Sequence, residues 1–195
     1  MRKIGIVGLL LGLALCSGCV RMMVPILDDK DLISDNSLAG EWIQEGNSQQ
    51  SLRIEPPDSE KHYRIEFRDD KGKSGKFIGQ IGRLGELMVA EIGPADLPDE
   101  WSDTYKGHFA TLISVFVVTA TRPALKFRGL DADWLKEYLK AHPDELTIAP
   151  SDENLVTSGA EAIRAFLLKH WKDEGALSEE AVYVRPKDKL DMAKF

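Results

Sequence analysis

The chain has 195 residues, a formal net charge of −7 and 43% hydrophobic residues, which is typical of a single folded domain. This acidic balance excludes a typical nucleic-acid binder, because binding to phosphates needs a concentrated patch of Lys and Arg. Both cysteines lie within the first 19 residues, so no disulfide, zinc cluster or thiol nucleophile is expected in the rest of the chain.

The first 19 residues have the pattern of a secretory signal. Arg2 and Lys3 precede an apolar run over residues 4–15, and Cys-Ser-Gly-Cys follows at 16–19. Two positive charges, a short apolar segment and small residues before a cleavage point are what such a signal requires. The apolar run is well short of the ~20 residues that a membrane-spanning helix needs.

The ending of this segment resembles the lipobox of bacterial lipoproteins, with leucine one place earlier than is usual. The resemblance implies that residues 1–18 are removed and that Cys19 carries a diacylglyceryl group and an acylated amino terminus, palmitate being one such acyl group. Several acyl chains hold a protein firmly to a bilayer, at ~0.8 kcal/mol per buried CH₂. Val20 rather than Asp follows the cysteine, which by analogy with Gram-negative sorting implies the periplasmic face of the outer membrane. An ordinary cleaved signal peptide is the alternative.

Residues 19–37 are predicted to be a lipidated flexible tether. Polar turn-forming residues without a period dominate 28–31 and 34–37. A single domain is expected over 38–186, followed by a charged tail over 187–195.

The first part of this domain has the pattern of consecutive strands. Tyr63, Ile65 and Phe67 alternate with charged residues, which predicts a strand with one solvated face. The segments 86–92 and 109–119 are apolar on both faces and should be covered. Glycines at 79, 82 and 85 predict sharp bending of the sheet. The predicted strands cover 40–43, 50–54, 62–68, 76–83, 86–92, 109–119 and 125–128.

Helical periodicity begins in the last third of the chain. Asp131 is placed to cap a helix with an apolar stripe over 134–139, and Ser158 to open a second helix that runs to about Trp171. A strand over 182–184 can close the sheet. Strands followed by helices predict an α+β fold. We expect a curved antiparallel sheet or a small, partly open barrel, with two or three helices in the C-terminal third.

No catalytic constellation stands out in the sequence. The glycines and lysines at 71–76 lie in a predicted hairpin and lack the spacing of a phosphate-binding loop. His170 lies on an apolar helix face, which favours a packed histidine over a ligand. Trp101, with Tyr105 and His108 near it, stands in an acidic segment with few other apolar residues, which makes the three candidate contacts for a ligand or partner. The alternative for Trp101 is a side chain that folds back and covers the core. No metal or cofactor is expected.

The opening strand, Gly-Glu-Trp at 40–42, and the glycine-rich hairpins resemble small lipocalin-like envelope lipoproteins. That resemblance implies a curved sheet around a cavity. Three functions follow as hypotheses: a non-catalytic interaction or assembly module in the envelope, a binder of a small apolar ligand or lipid, and a hydrolase with His108 as general base. A filled interior would favour the first, an apolar cavity the second, and a convergent polar cleft the third.

Overall fold

A computed structural model describes residues 20–95, 102 and 111–186. Its helices are α1 (Ala132–Ala141) and α2 (Ala160–His170), and a single 3₁₀ turn covers Asn36–Leu38. Its strands are β1 (Arg21–Met22), β2 (Leu32–Ile33), β3 (Gly40–Gln44), β4 (Asn47–Ile54), β5 (Tyr63–Arg68), β6 (Ser74–Leu84), β7 (Leu87–Pro94), β8 (Ile113–Ala120), β9 (Leu125–Gly129), β10 (Ile148–Ala149), β11 (Asp152–Val156) and β12 (Ala181–Val184).

Eight of these strands form a closed antiparallel barrel. Strands β3 to β9 pair in chain order as a meander, and β12 joins β9 to β3. Closure gives each barrel strand a neighbour on both sides and removes the exposed edges that invite aggregation. The predicted α+β class and curved antiparallel sheet are confirmed, as is the closing strand near 182–184. The barrel is closed rather than partly open, and the described part of the chain contains two α-helices rather than three.

The alternating side chains of the strands divide the protein into two cores. On β7, Met88, Ala90 and Ile92 face the barrel interior, whereas Val89 faces outward and is nevertheless 0% exposed. Helices α1 and α2 and the N-terminal segment cover that outer face. The second core lies inside the barrel and includes Trp42. The prediction that the two-sided apolar strand at 86–92 is covered is therefore confirmed.

The N-terminal segment lies against the barrel, which differs from the predicted flexible tether. Val20, Met22 and Ile26 are buried, and β1 pairs with both β8 and β11. Polar residues of the segment are also held, because Arg164 on α2 binds the carboxylates of Asp28 and Asp31 at 2.7 and 2.8 Å. Side chains that look solvated in the sequence thus have partners far along the chain, and residues 20–37 belong to the folded domain.

The helices begin and end largely as their sequences predict. Asp131 caps α1 by accepting a hydrogen bond from the backbone N–H of Trp134 at 2.8 Å. The predicted cap of α2 is wrong. Gly159 is the N-cap residue, whereas the Ser158 hydroxyl accepts a hydrogen bond from the backbone N–H of Thr147 at 2.7 Å. Within the described ranges, neither helix has the length and hydrophobicity to span a bilayer.

One end of the barrel is closed around Trp42. Its indole N–H donates to the carbonyl of Leu38 at 2.8 Å, which fixes the 3₁₀ turn across the opening. The Arg185 guanidinium lies 3.8 Å from the centroid of the indole ring. The same guanidinium donates to the carbonyls of Ser37 and Ala39 at 2.6 and 2.8 Å. The Arg185 guanidinium therefore connects the chain just after β12 to the 3₁₀ turn and to β3.

Gly40 is required at this closed end, and Gly40→Ala is expected to lower the free energy of unfolding by about 3 kcal/mol. Its φ is +121°, and an added Cβ would collide with the Arg185 guanidinium. Gly46→Ala is the matched control. There φ is +79° but the space around the glycine is open, so we expect a loss of about 1 kcal/mol. Equal losses in urea unfolding of the two variants would contradict a contribution from Arg185.

Ionic contacts hold the end of α2 to the segment after α1. His170 is 4% exposed, with Nδ1 at 2.6 Å from Asp173 and Nε2 at 3.2 Å from Glu145. The Glu145 carboxylate also accepts hydrogen bonds from Lys169 at 2.6 Å and Tyr138 at 3.0 Å. Both nitrogens of His170 are engaged and its ring is packed, so its interpretation as a packed histidine is confirmed.

Glu145→Gln is expected to make the loss of stability in acid shallower. The hydrogen bond from Lys169 is the main cause that lowers the pKa of Glu145 from 4.5 to about 2. The folded protein therefore binds this proton less readily than the unfolded chain does. The stabilisation is present above pH 4.5 and is lost as the pH falls towards 2. Thermal unfolding at a series of pH values measures this, with the exposed Glu174→Gln as control. Parallel profiles for wild type and Glu145→Gln would contradict it.

Candidate site: an apolar cavity in the barrel

The barrel interior contains a cavity of about 320 Å³ that is partly open to solvent. Strand alternation creates its walls, because every second residue of a barrel strand points inward. The inward positions are almost all apolar and come from neighbouring strands. Representative wall residues are Ile65, Phe67, Phe77, Ile92, Phe116 and Phe127.

The closed end supplies the floor of the cavity. Leu38 of the 3₁₀ turn lines it, and Tyr63 lines it from the start of β5. The Tyr63 hydroxyl accepts a hydrogen bond from the backbone N–H of Asp35 at 2.7 Å, so this phenol is satisfied by the protein itself. The floor is therefore both packed and internally hydrogen-bonded. The β3–β4 turn and the β5–β6 hairpin turn at 69–73 lie at the other end.

The wall of this cavity is almost free of charge. Arg21 is the single charged residue that lines it within the described ranges. Its guanidinium is already paired with the Asp152 carboxylate at 2.7 Å. An ionised ligand buried here would lose its hydration without gaining an opposite charge. The lack of unpaired charge in the cavity wall therefore favours an uncharged ligand.

Two polar side chains on one part of the barrel wall have unused hydrogen-bonding groups. Tyr183 lines the cavity and is 1% exposed, and its hydroxyl has no hydrogen-bond partner among residues 20–95, 102 and 111–186. Its neighbour across the β12–β3 ladder is Gln44, whose Oε1 is buried without a hydrogen bond. Burial raises the pKa of Tyr183 to about 12, so the phenol stays protonated at neutral pH.

The structure does not test the site residues that were predicted from the sequence. Cys19, Trp101, Tyr105 and His108 all lie outside the residues that the structure describes. Sequence reasoning missed Gln44 and Tyr183 because each reads as one more residue of a short strand. The inward alternation on β5 was the visible signal for a cavity wall. This alternation does not indicate whether side chains fill the space inside the barrel.

The described side chains offer no assembled metal site, since no three His, Cys, Asp or Glu residues there could hold one ion. The buried Glu91 lies on the outward face of β7 and accepts hydrogen bonds from the backbone N–H groups of Ile26 and Leu27. It therefore has a structural role away from the cavity. The arrangement in the barrel can enclose a ligand.

Comparison with known proteins gives no relative. No protein-family model matches the chain, and neither a curated protein nor a solved structure matches it. The barrel and its cavity are therefore interpreted from their own geometry.

Proposed function

We propose that the barrel binds a small apolar ligand or lipid chain in its interior. The observation that carries this proposal is the apolar cavity of about 320 Å³. Ligand pockets commonly begin at about 300 Å³, and a dry cavity of about 150 Å³ is enough to bind benzene. At about 30 Å³ per water-sized group, the space suits on the order of ten non-hydrogen atoms.

We further propose that this binding module is a non-catalytic lipoprotein of the bacterial envelope, anchored through a lipid on Cys19. The lipobox-like ending at 16–19 supports the anchor, and the cavity in a closed barrel is compatible with a lipocalin-like protein. In a Gram-negative host, the location would be the periplasmic face of the outer membrane. Mass spectrometry of the processed chain tests the anchor, which would be contradicted by an unmodified Cys19.

Isothermal titration calorimetry of the chain without residues 1–18 tests the binding proposal, with 1-octanol as the probe. We expect saturable binding at a single site, with a negative change in heat capacity because apolar surface is buried. Saturating 1-octanol should also raise the melting temperature, since a ligand that binds only the folded state stabilises it. Absence of both binding heat and a thermal shift would contradict the proposal.

The interaction-module alternative stays a prediction. It requires an envelope protein that contacts the outer surface of the domain, whereas ligand binding requires the interior. Crosslinking in intact cells separates the two, because a specific partner would be captured even by a variant whose cavity is filled.

A further inference from the structure

We propose that the barrel selects neutral amphiphiles with a hydroxyl head, which hydrogen-bonds to Tyr183 and Gln44 while the alkyl chain occupies the apolar cavity. This inference rests on the proposed function and specifies its ligand class. It predicts a preference set by two named side chains rather than by hydrophobicity alone.

Tyr183 provides the first polar group at the cavity wall. Its ring is stacked on Phe127, with centroids 5.6 Å apart and an interplanar angle of 13°. This stacking, together with its burial, fixes the direction in which the phenol points. The hydroxyl has no hydrogen-bond partner among the described residues, and because Tyr183 lines the cavity, a group inside the cavity can pair with it. A ligand hydroxyl would supply the missing partner.

Gln44 is the cross-strand neighbour of this lining residue and provides a second polar group, its buried Oε1. Tyr183 and Gln44 are direct partners in the antiparallel pair of β12 and β3, so their side chains lie on the same face of the wall. An amide offers an acceptor and donors in either orientation. A hydroxyl head also donates and accepts, so one head group can pair with both residues.

Tyr63 shows that an unsatisfied hydroxyl is not a general feature of this barrel. It lines the same cavity, but its hydroxyl is paired with the backbone of Asp35. Within the described ranges, the buried side-chain atoms without a hydrogen-bond partner are Gln44 Oε1, next to Tyr183 in the barrel, and Ser37 Oγ, which lies outside the cavity lining. Such local departures from full hydrogen bonding are expected where function opposes stability.

The charge of the site favours a hydroxyl over a carboxylate. The Tyr183 phenol is neutral at pH 7, and the Arg21 guanidinium is paired with Asp152. A carboxylate would therefore enter without a free cation to replace its hydration. We expect octanoate to bind at least about a hundredfold more weakly than 1-octanol at pH 7.

Dissociation constants for 1-octanol and 1-chlorooctane with wild type and three variants test the inference. The two ligands have alkyl chains of the same length, but 1-chlorooctane cannot donate a hydrogen bond. We expect Tyr183→Phe and Gln44→Met each to weaken 1-octanol about tenfold and to leave 1-chlorooctane unchanged, as loss of one hydrogen bond implies. Tyr63→Phe is the matched control, because it removes a phenol that is already paired, and it should leave the ratio of the two constants unchanged.

Thermal unfolding of the same variants provides an independent readout. Gln44→Met should keep or raise the melting temperature, because it removes a buried oxygen without a partner. Tyr183→Phe should leave the melting temperature unchanged, because no described residue pairs with the hydroxyl that is lost. Tyr63→Phe should lower it. An unchanged ratio of the two dissociation constants in Tyr183→Phe and Gln44→Met would overturn this inference while the ligand-binding function stands. Failure of both ligands to bind wild type would overturn the proposed function itself.

Discussion

Ala90→Phe is expected to weaken the binding of 1-octanol about a hundredfold, which corresponds to about 2.7 kcal/mol of binding free energy. Ala90 lines the cavity on β7, and its cross-strand partners are Ile81 and Phe116. The added ring would occupy space in a cavity of only about 320 Å³. Because filling a cavity commonly stabilises a protein, the melting temperature should stay the same or rise. Calorimetric titration and thermal unfolding of one preparation measure both effects.

Ala141→Phe is the control for this substitution. Ala141 is exposed at the end of α1, so the same change in side chain there should leave ligand binding unaltered. Unchanged affinity in a folded Ala90→Phe protein would place the ligand outside the barrel and contradict the proposed function. A selective loss in Ala90→Phe would locate the ligand inside it.

Glu91→Ala is expected to lower the free energy of unfolding by about 3 kcal/mol, or the melting temperature by about 9 °C. The side chain is 4% exposed, and its carboxylate accepts the backbone N–H groups of Ile26 and Leu27. Its removal leaves two buried donors without partners. Amide hydrogen exchange should accelerate first in residues 20–33, because these contacts hold that segment. Glu66→Ala, at an exposed outward position of β5, should cost less than about 0.5 kcal/mol.

Glu91→Gln separates the charge of this group from its role as an acceptor. Burial raises the pKa of Glu91 above 4.5, so the folded protein binds the proton more tightly than the unfolded chain does. Its contribution to stability is therefore present at low pH and is lost as the pH rises from 4.5 through the folded pKa. The glutamine variant keeps an acceptor oxygen but does not ionise. Its stability relative to wild type should thus increase with pH, and a constant difference would contradict this.

Local patterns predicted the elements of this fold, and long-range partners decided the rest. The alternation of Tyr63, Ile65 and Phe67 predicted β5, and Asp131 predicted the start of α1. The N-terminal segment was predicted wrongly because Arg164 neutralises its acidic residues from more than a hundred positions away. The closing strand near 182–184 was predicted, but its pairing with β3 joins the first and last strands of the barrel, and no local pattern specifies that partner.

The candidate site was predictable only in its chemistry. Apolar inward residues such as Phe116 are visible as alternation in the sequence. The volume of the cavity is the space left between walls that come from distant strands, so it requires the assembled barrel. The pairing of Gln44 with Tyr183 likewise depends on the register between the first and last barrel strands.

The burial of Val20 next to β1 limits how far the domain can travel from a membrane. An extended residue spans at most about 3.6 Å, and Val20 alone separates Cys19 from the first strand. If Cys19 is acylated, no flexible linker separates the barrel from the lipid. The barrel then lies within a few ångströms of the lipid headgroups, in a restricted orientation. Ligands would then be exchanged with the adjacent leaflet, and any protein that receives them would have to come to the membrane surface.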